Sequence, residues 1–123
     1  MKKIFICGSS SYFRENFIWL IDFFKYKNLK NYSIKAIIDD NINDKFEKFS
    51  KLKFTPSNLV KPHKDNLIYI AAANINVRKK IIKKFSNYNF FSLIHPSSVV
   101  SKFAKLGKGI TIGPQSVVTG DAI

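Results

Sequence analysis

The chain is predicted to be α/β: a small parallel sheet over residues 1–93, then the opening of a left-handed β-helix over residues 94–123. Three observations predict it. Short apolar runs alternate with stretches of helical periodicity as far as Leu93. Polar clusters and prolines punctuate the chain between those segments. From Ile94 onward aliphatic residues recur every sixth position, a period that belongs to neither an α-helix nor an ordinary strand.

Each element follows from local pattern. Lys3 to Cys7 is an apolar run closed by Gly8, the signature of a buried strand. Tyr12, Phe13, Asn16, Phe17, Trp19, Leu20, Phe23 and Phe24 recur at helical spacing, with Ser10 or Ser11 placed to cap the helix. Ser33 to Ile38 is a second strand, ended by Asp39-Asp40-Asn41. Asp44 to Lys53 is polar and poorly periodic, and Thr55-Pro56-Ser57 and Lys61-Pro62-His63 read as loops. Leu67 to Ala72 is a third apolar run. Val77, Ile81, Ile82 and Phe85 then share one helix face, with Arg78, Lys79, Lys80, Lys83 and Lys84 on the rest. Phe90 to Leu93 is a fourth short strand. This order predicts right-handed crossovers and a ligand site at the carboxyl ends of the strands. Gly8 to Ser11, Asp39 to Asn41 and Ala72 to Asn74 are therefore the loops that matter.

Composition narrows the class. Of 123 residues, 46% are hydrophobic, with twelve Phe and five Tyr, so a core can be built. The net charge of +13 raises nucleic acid or a membrane surface as a partner. Lys, Asn, Ile and Phe are abundant together, however, which is the output of A/T-rich codons. No aromatic platform interleaves the Arg78 to Lys84 charges, and no nucleic-acid partner is expected. A single Cys excludes a disulfide framework and a Cys-based metal site within the chain; Cys7 reads as a small buried hydrophobe. The apolar start is too short for a signal peptide and no run approaches a membrane span, so a cytoplasmic protein with no membrane partner is expected. Gly8-Ser9-Ser10-Ser11 lacks G-x-G-x-x-G, which argues against a nicotinamide enzyme.

The sixfold repeat is the most informative segment. Its first positions are Ile94, Val100, Leu106, Ile112 and Val118. Its fifth positions are Ser98, Ala104, Ile110, Ser116 and Ala122, four of them small. A triangular coil explains the spacing: three hexads, roughly eighteen residues, make one turn. Aliphatic first residues point into the narrow core and small fifth residues fit near the corners. No polar cap follows Ile123, and solenoid ends need one. The chain thus reads as a truncated piece whose coil continues, or as one whose open end another molecule covers.

The segments Lys3-Ile-Phe-Ile-Cys-Gly-Ser-Ser, Ile37-Ile-Asp-Asp, Ile70-Ala-Ala-Ala-Asn-Ile-Asn-Val-Arg-Lys-Lys-Ile and Leu93-Ile-His-Pro-Ser-Ser-Val-Val-Ser carry a resemblance. In this order, and followed by hexads, they resemble bacterial hexapeptide-repeat sugar acetyltransferases of the bacillosamine N-acetyltransferase and sialic-acid O-acetyltransferase type. The match spans the whole chain, against roughly the first half or more of a family member. It implies a Rossmann-like nucleotide-sugar-binding domain, residues 1–93, joined to the first coils of the β-helix.

The resemblance also implies site residues. The loop after the first strand would contact the nucleotide sugar through Gly8, Ser9 and Ser10, although this chain has Ser11, Tyr12 and Phe13 where the family usually has a second Gly and a His. Asp39 and Asp40 match an acidic pair that accepts hydrogen bonds from uracil or ribose; they read equally as a turn pair. The Gly-Asn or Gly-Asp after the third strand falls on Ala73 and Asn74, and Asn74 reads equally as a helix cap. The family's co-substrate is acetyl-CoA, bound between neighbouring β-helices of a homotrimer, and its catalytic His lies on a later coil. No residue here maps to that His. His95 reads as a structural residue where the coil joins the sheet domain, and His63 lies in a loop with no partner evident. The alternative is a non-catalytic nucleotide-sugar-binding or regulatory module.

Overall fold

The computed structural model describes residues 1–8, 12–27, 30–38 and 53–120. Five strands form one sheet: β1 (Lys2–Cys7), β2 (Tyr32–Ile38), β3 (Phe54–Thr55), β4 (Asn66–Ile70) and β5 (Asn89–Phe90), in the order β3-β2-β1-β4-β5. Every pairing between them is parallel. Among the described residues the α-helices are α1 (Tyr12–Lys27) and α2 (Ile75–Lys84).

A parallel sheet covered on both faces needs strands that are apolar on both faces. That is how β1 and β4 read. Ile4 and Ile6, with Leu67, Tyr69 and Ala71, pack with Leu20 of α1 on one side. Phe5 and Cys7, with Ile68, Ile70 and Ala72, pack with Ile81 of α2 on the other. Cys7 is buried. Lys35, which interrupts the apolar run of β2, is accommodated by a bulge. Ile4 pairs with Ile34 but Phe5 with Ala36, so Lys35 drops out of register and stays exposed.

Three elements differ from the sequence reading. Thr55, placed in a loop by the following proline, belongs to a two-residue edge strand beside Ile37 and Ile38. Pro56 ends it, where it costs no ladder bond. The apolar stretch Phe90 to Leu93 is not one strand. Asn89–Phe90 joins β4, and Leu93–Ile94 (β6) joins a second ladder. Phe91, between them, turns its ring onto the α1 face among Phe23, Phe24, Tyr32 and Tyr69, with centroids 5.7–6.4 Å away. On α2 the inner face is Arg78, Ile81 and Phe85, while Val77 and Ile82 are 43% and 47% exposed. The helix is rotated so that Arg78 faces inward, for a reason given below.

After β6 come β7 (Val99–Val100), β8 (Thr111–Ile112) and β9 (Val117–Val118). Leu93 pairs with Thr111 and Val99 with Val117, both parallel, and both offsets are eighteen residues (111 − 93 and 117 − 99). Ile112 is buried, and Ile94, Val100 and Val118 are half-buried. Leu106 departs from the inward rule and is exposed.

The two ladders lean on the sheet. Leu93 is fully buried in the α1-side core. A Cβ on Gly113 would lie 3.3 Å from the Trp19 ring, so this rung needs a residue without one. Thr111 Oγ1 donates to Tyr69 Oη at 3.3 Å, and Tyr69 Oη donates to buried Asn16 Oδ1 at 2.5 Å. A satisfied polar chain thus runs from the second rung through β4 to α1. No helix among the described residues is long and apolar enough to cross a membrane.

Candidate functional site

The carboxyl ends of β1 and β4 meet where the sheet order changes direction in sequence, the place where open parallel sheets bind ligands. Ala71 N–H donates to Cys7 O at 2.9 Å. Gly8 follows with φ +124°, and a Cβ there would lie 2.5 Å from the Ala71 carbonyl oxygen. Glycine is therefore required by close approach of two backbones. That requirement is independent of any ligand, and it brings Gly8 beside the 71–74 loop.

Asn74 caps α2: its Oδ1 accepts from Asn76 N at 2.9 Å and Val77 N at 3.1 Å. The cap reading of Asn74 is therefore the one observed for its carbonyl oxygen. Ala73 is exposed and lines a cleft of about 360 Å³ with Ala72, Arg78, Ile110 and Thr111. Gly8, Ala73 and Asn74 thus share one edge of the sheet. Ser9, Ser10, Asp39 and Asp40 lie outside the described residues.

The residue that the sequence reading missed is Arg78. Its Nη1 donates to Ala72 O at 2.9 Å and reaches Ile70 O at 3.4 Å; its Nη2 donates to Gly109 O at 3.1 Å. One guanidinium therefore joins the end of β4 to the coil, which explains the rotation of α2. Gly109, at φ +66°, packs its backbone against the Phe90 ring, and a Cβ there would sit 3.2 Å from Phe90 Cβ. In sequence Arg78 is one of five cations in a helical stretch, and nothing local distinguishes it from its solvated neighbours.

His95 makes a second junction. Its Nε2 lies 3.1 Å from Asp22 Oδ2 on α1, and its Nδ1 lies 2.9 Å from Ser97 Oγ and 3.1 Å from Ser97 N. The Ser97 amide can only donate, so Nδ1 accepts and Nε2 carries the proton toward Asp22. Ser97 Oγ in turn accepts from Gln115 N at 2.9 Å, one rung away. His95 thus ties α1, the first turn of the coil and the next rung together, the structural role read for it. The larger opening beside it, about 670 Å³, is lined by Asp22, Lys25, Tyr26, His95, Pro96 and Ser97. It lies beside α1, whereas the smaller cleft lies at the carboxyl edge of the sheet, beside the switch between β1 and β4 where open parallel sheets bind ligands. We therefore place the site at the cleft. His63 has a partner after all: its Nδ1 accepts from Asp65 N at 3.0 Å. Both side chains are well exposed, and the pair is a local turn feature. Among the described residues no group of three or more His, Cys, Asp or Glu could hold a metal ion.

Comparison with protein-family models and with curated proteins gives no match for this chain.

Proposed function

We propose that this chain is the nucleotide-sugar-binding end of an acetyl-CoA-dependent sugar N- or O-acetyltransferase, with a Rossmann-like domain at 1–93 and the first coils of a left-handed β-helix at 94–123. The observation that carries this reading is the pair of parallel ladders, each offset by eighteen residues, directly after a parallel five-stranded sheet. Eighteen residues is the length of three hexads, the turn that a triangular coil requires. A β-helix beside a carboxyl-edge cleft is the layout that the family resemblance implies. The substrate is a nucleotide sugar or sugar held near Gly8, Ala73 and Asn74, with Ser9, Ser10, Asp39 and Asp40 contributed by the adjoining loops.

In that reading acetyl-CoA and the catalytic His belong to later coils, and the working unit is a homotrimer. Val99, Phe103 and Val117 support assembly: they are 63–70% exposed on the outside of the coil, and Val99 and Val117 are register neighbours. Apolar side chains stacked outward on successive rungs suit a packed neighbour better than water.

The test is acetyl transfer from acetyl-CoA to a UDP-amino sugar, with this chain and with a version extended by further hexads that include a His–acid pair. Turnover is expected only from the extended protein. Turnover by residues 1–123 alone contradicts the division of labour. Nucleotide-sugar binding by an extended protein that lacks turnover favours the non-catalytic binding module.

A further inference from the structure

We infer that Arg78 is the anion-binding group of the carboxyl-edge cleft, and that the cleft takes a phosphate or diphosphate. This rests on the nucleotide-sugar reading only for the identity of the anion's carrier; the site itself is argued from geometry.

Arginine has five N–H groups and cannot be neutralised at any ordinary pH. Arg78 spends at most three of them, all on backbone carbonyls: Ile70 O, Ala72 O and Gly109 O. Carbonyls satisfy donors but leave the charge uncompensated. Among the described residues no carboxylate lies within ion-pair distance of Arg78, and the two salt bridges described there both involve histidines. The side chain is half-buried and lines the cleft. A cation held part-way out of water without a counter-ion attracts an anion more strongly than the same cation on the surface does.

The three carbonyl bonds also fix the guanidinium plane, so its remaining N–H groups are pre-organised for an acceptor that presents two oxygens, such as a phosphate. Lys79, Lys80, Lys83 and Lys84 are exposed on the same helix and supply only a diffuse positive field.

The experiment titrates the whole chain with inorganic pyrophosphate and, separately, with UDP, following the Arg78 Nε–H signal by NMR and the affinity by calorimetry. We expect one equivalent of pyrophosphate to shift that signal. Affinity should fall at least tenfold in Arg78→Ala, fall less in Arg78→Lys, and change less than twofold in Lys80→Ala. Because Arg78→Ala also loses the bonds to Gly109, the wild-type Nε–H shift stands as a readout that needs no variant. An unmoved Nε–H signal, or equal affinity in wild type and Arg78→Ala, overturns the inference. UDP binding that ignores Arg78 overturns it while leaving the nucleotide-sugar reading in place. Arg78-dependent binding in which UDP is no better than pyrophosphate upholds the anion site and overturns the nucleotide-sugar reading.

Discussion

The sheet and the coil bury their residues by different means. In the sheet, β1 and β4 each carry a run of at least four buried positions, and the two faces have separate cores. The sheet's core closes on itself. The coil ladders are two residues long, and Val99, Phe103, Leu106 and Val117 remain exposed. The coil's order is borrowed: Leu93 sits in the sheet's core, Gly113 abuts Trp19, Thr111 bonds Tyr69, His95 bonds Asp22, and Arg78 bonds Gly109. Short ladders stacked on a preformed surface cost less entropy to order than the same ladders alone, because one side of each rung is already fixed. Residues 93–120 are thus held against the α/β unit by contacts on its α1 side and, through Arg78, at the cleft.

Leu93→Ala breaks that comparison most severely. Truncating a fully buried Leu costs about 2–5 kcal/mol. Because Leu93 belongs to both parts, urea unfolding should show the sheet and coil losing stability together. Separate transitions would mean that the two are independent. Gly8→Ala comes next, at about 2–3 kcal/mol from the positive φ and the contact with Ala71 O. Thermal unfolding should show the loss, and the damage should spread to the 71–74 loop in NMR spectra. Asn74→Ala removes the α2 cap and costs about 1 kcal/mol. Hydrogen exchange should then rise at Asn76 and Val77 while β1 stays protected. Asp22→Asn is the smallest change, within about 1 kcal/mol, because the carboxylate is half-exposed and an amide can still accept from His95. Its effect should be confined to exchange rates around His95 and Ser97. A global loss of several kcal/mol would show that this junction carries more than the others.

The two parts also differ in how legible they are. The sixfold spacing of aliphatics was readable because period six is rare, and the structure shows two parallel ladders offset by eighteen residues, with Leu106 exposed rather than inward. The strands β1, β2 and β4 were readable because strands buried on both faces are continuous apolar runs. Phe54–Thr55 was not, since a two-residue edge strand beside a proline has no pattern of its own. The split of Phe90 to Leu93 was hidden for a related reason. Phe91 is apolar whether it lies in a strand or in an aromatic cluster, and its four ring partners come from three other segments. Of the residues singled out for the site, Gly8 is required by close packing against Ala71 and Asn74 caps α2. Arg78 and Asp22 could not be recognised: their partners Gly109 and His95 lie 31 and 73 residues away. The same fold-level distance explains why the cleft, whose lining comes from residues 72–78 and 110–111, had no signature in the chain.

The central proposal is that the carboxyl edge of the sheet, where residues 109–111 lie beside it, holds a nucleotide sugar. Titrating the uniformly ¹⁵N-labelled chain with a UDP-amino sugar and mapping the amide shifts tests it most directly. Shifts clustered on Gly8, Ala72 to Asn74 and Gly109 to Thr111, saturating at one equivalent, are the predicted result. Shifts confined to the exposed lysines, clustered instead around Tyr26 and His95, or absent altogether would contradict it.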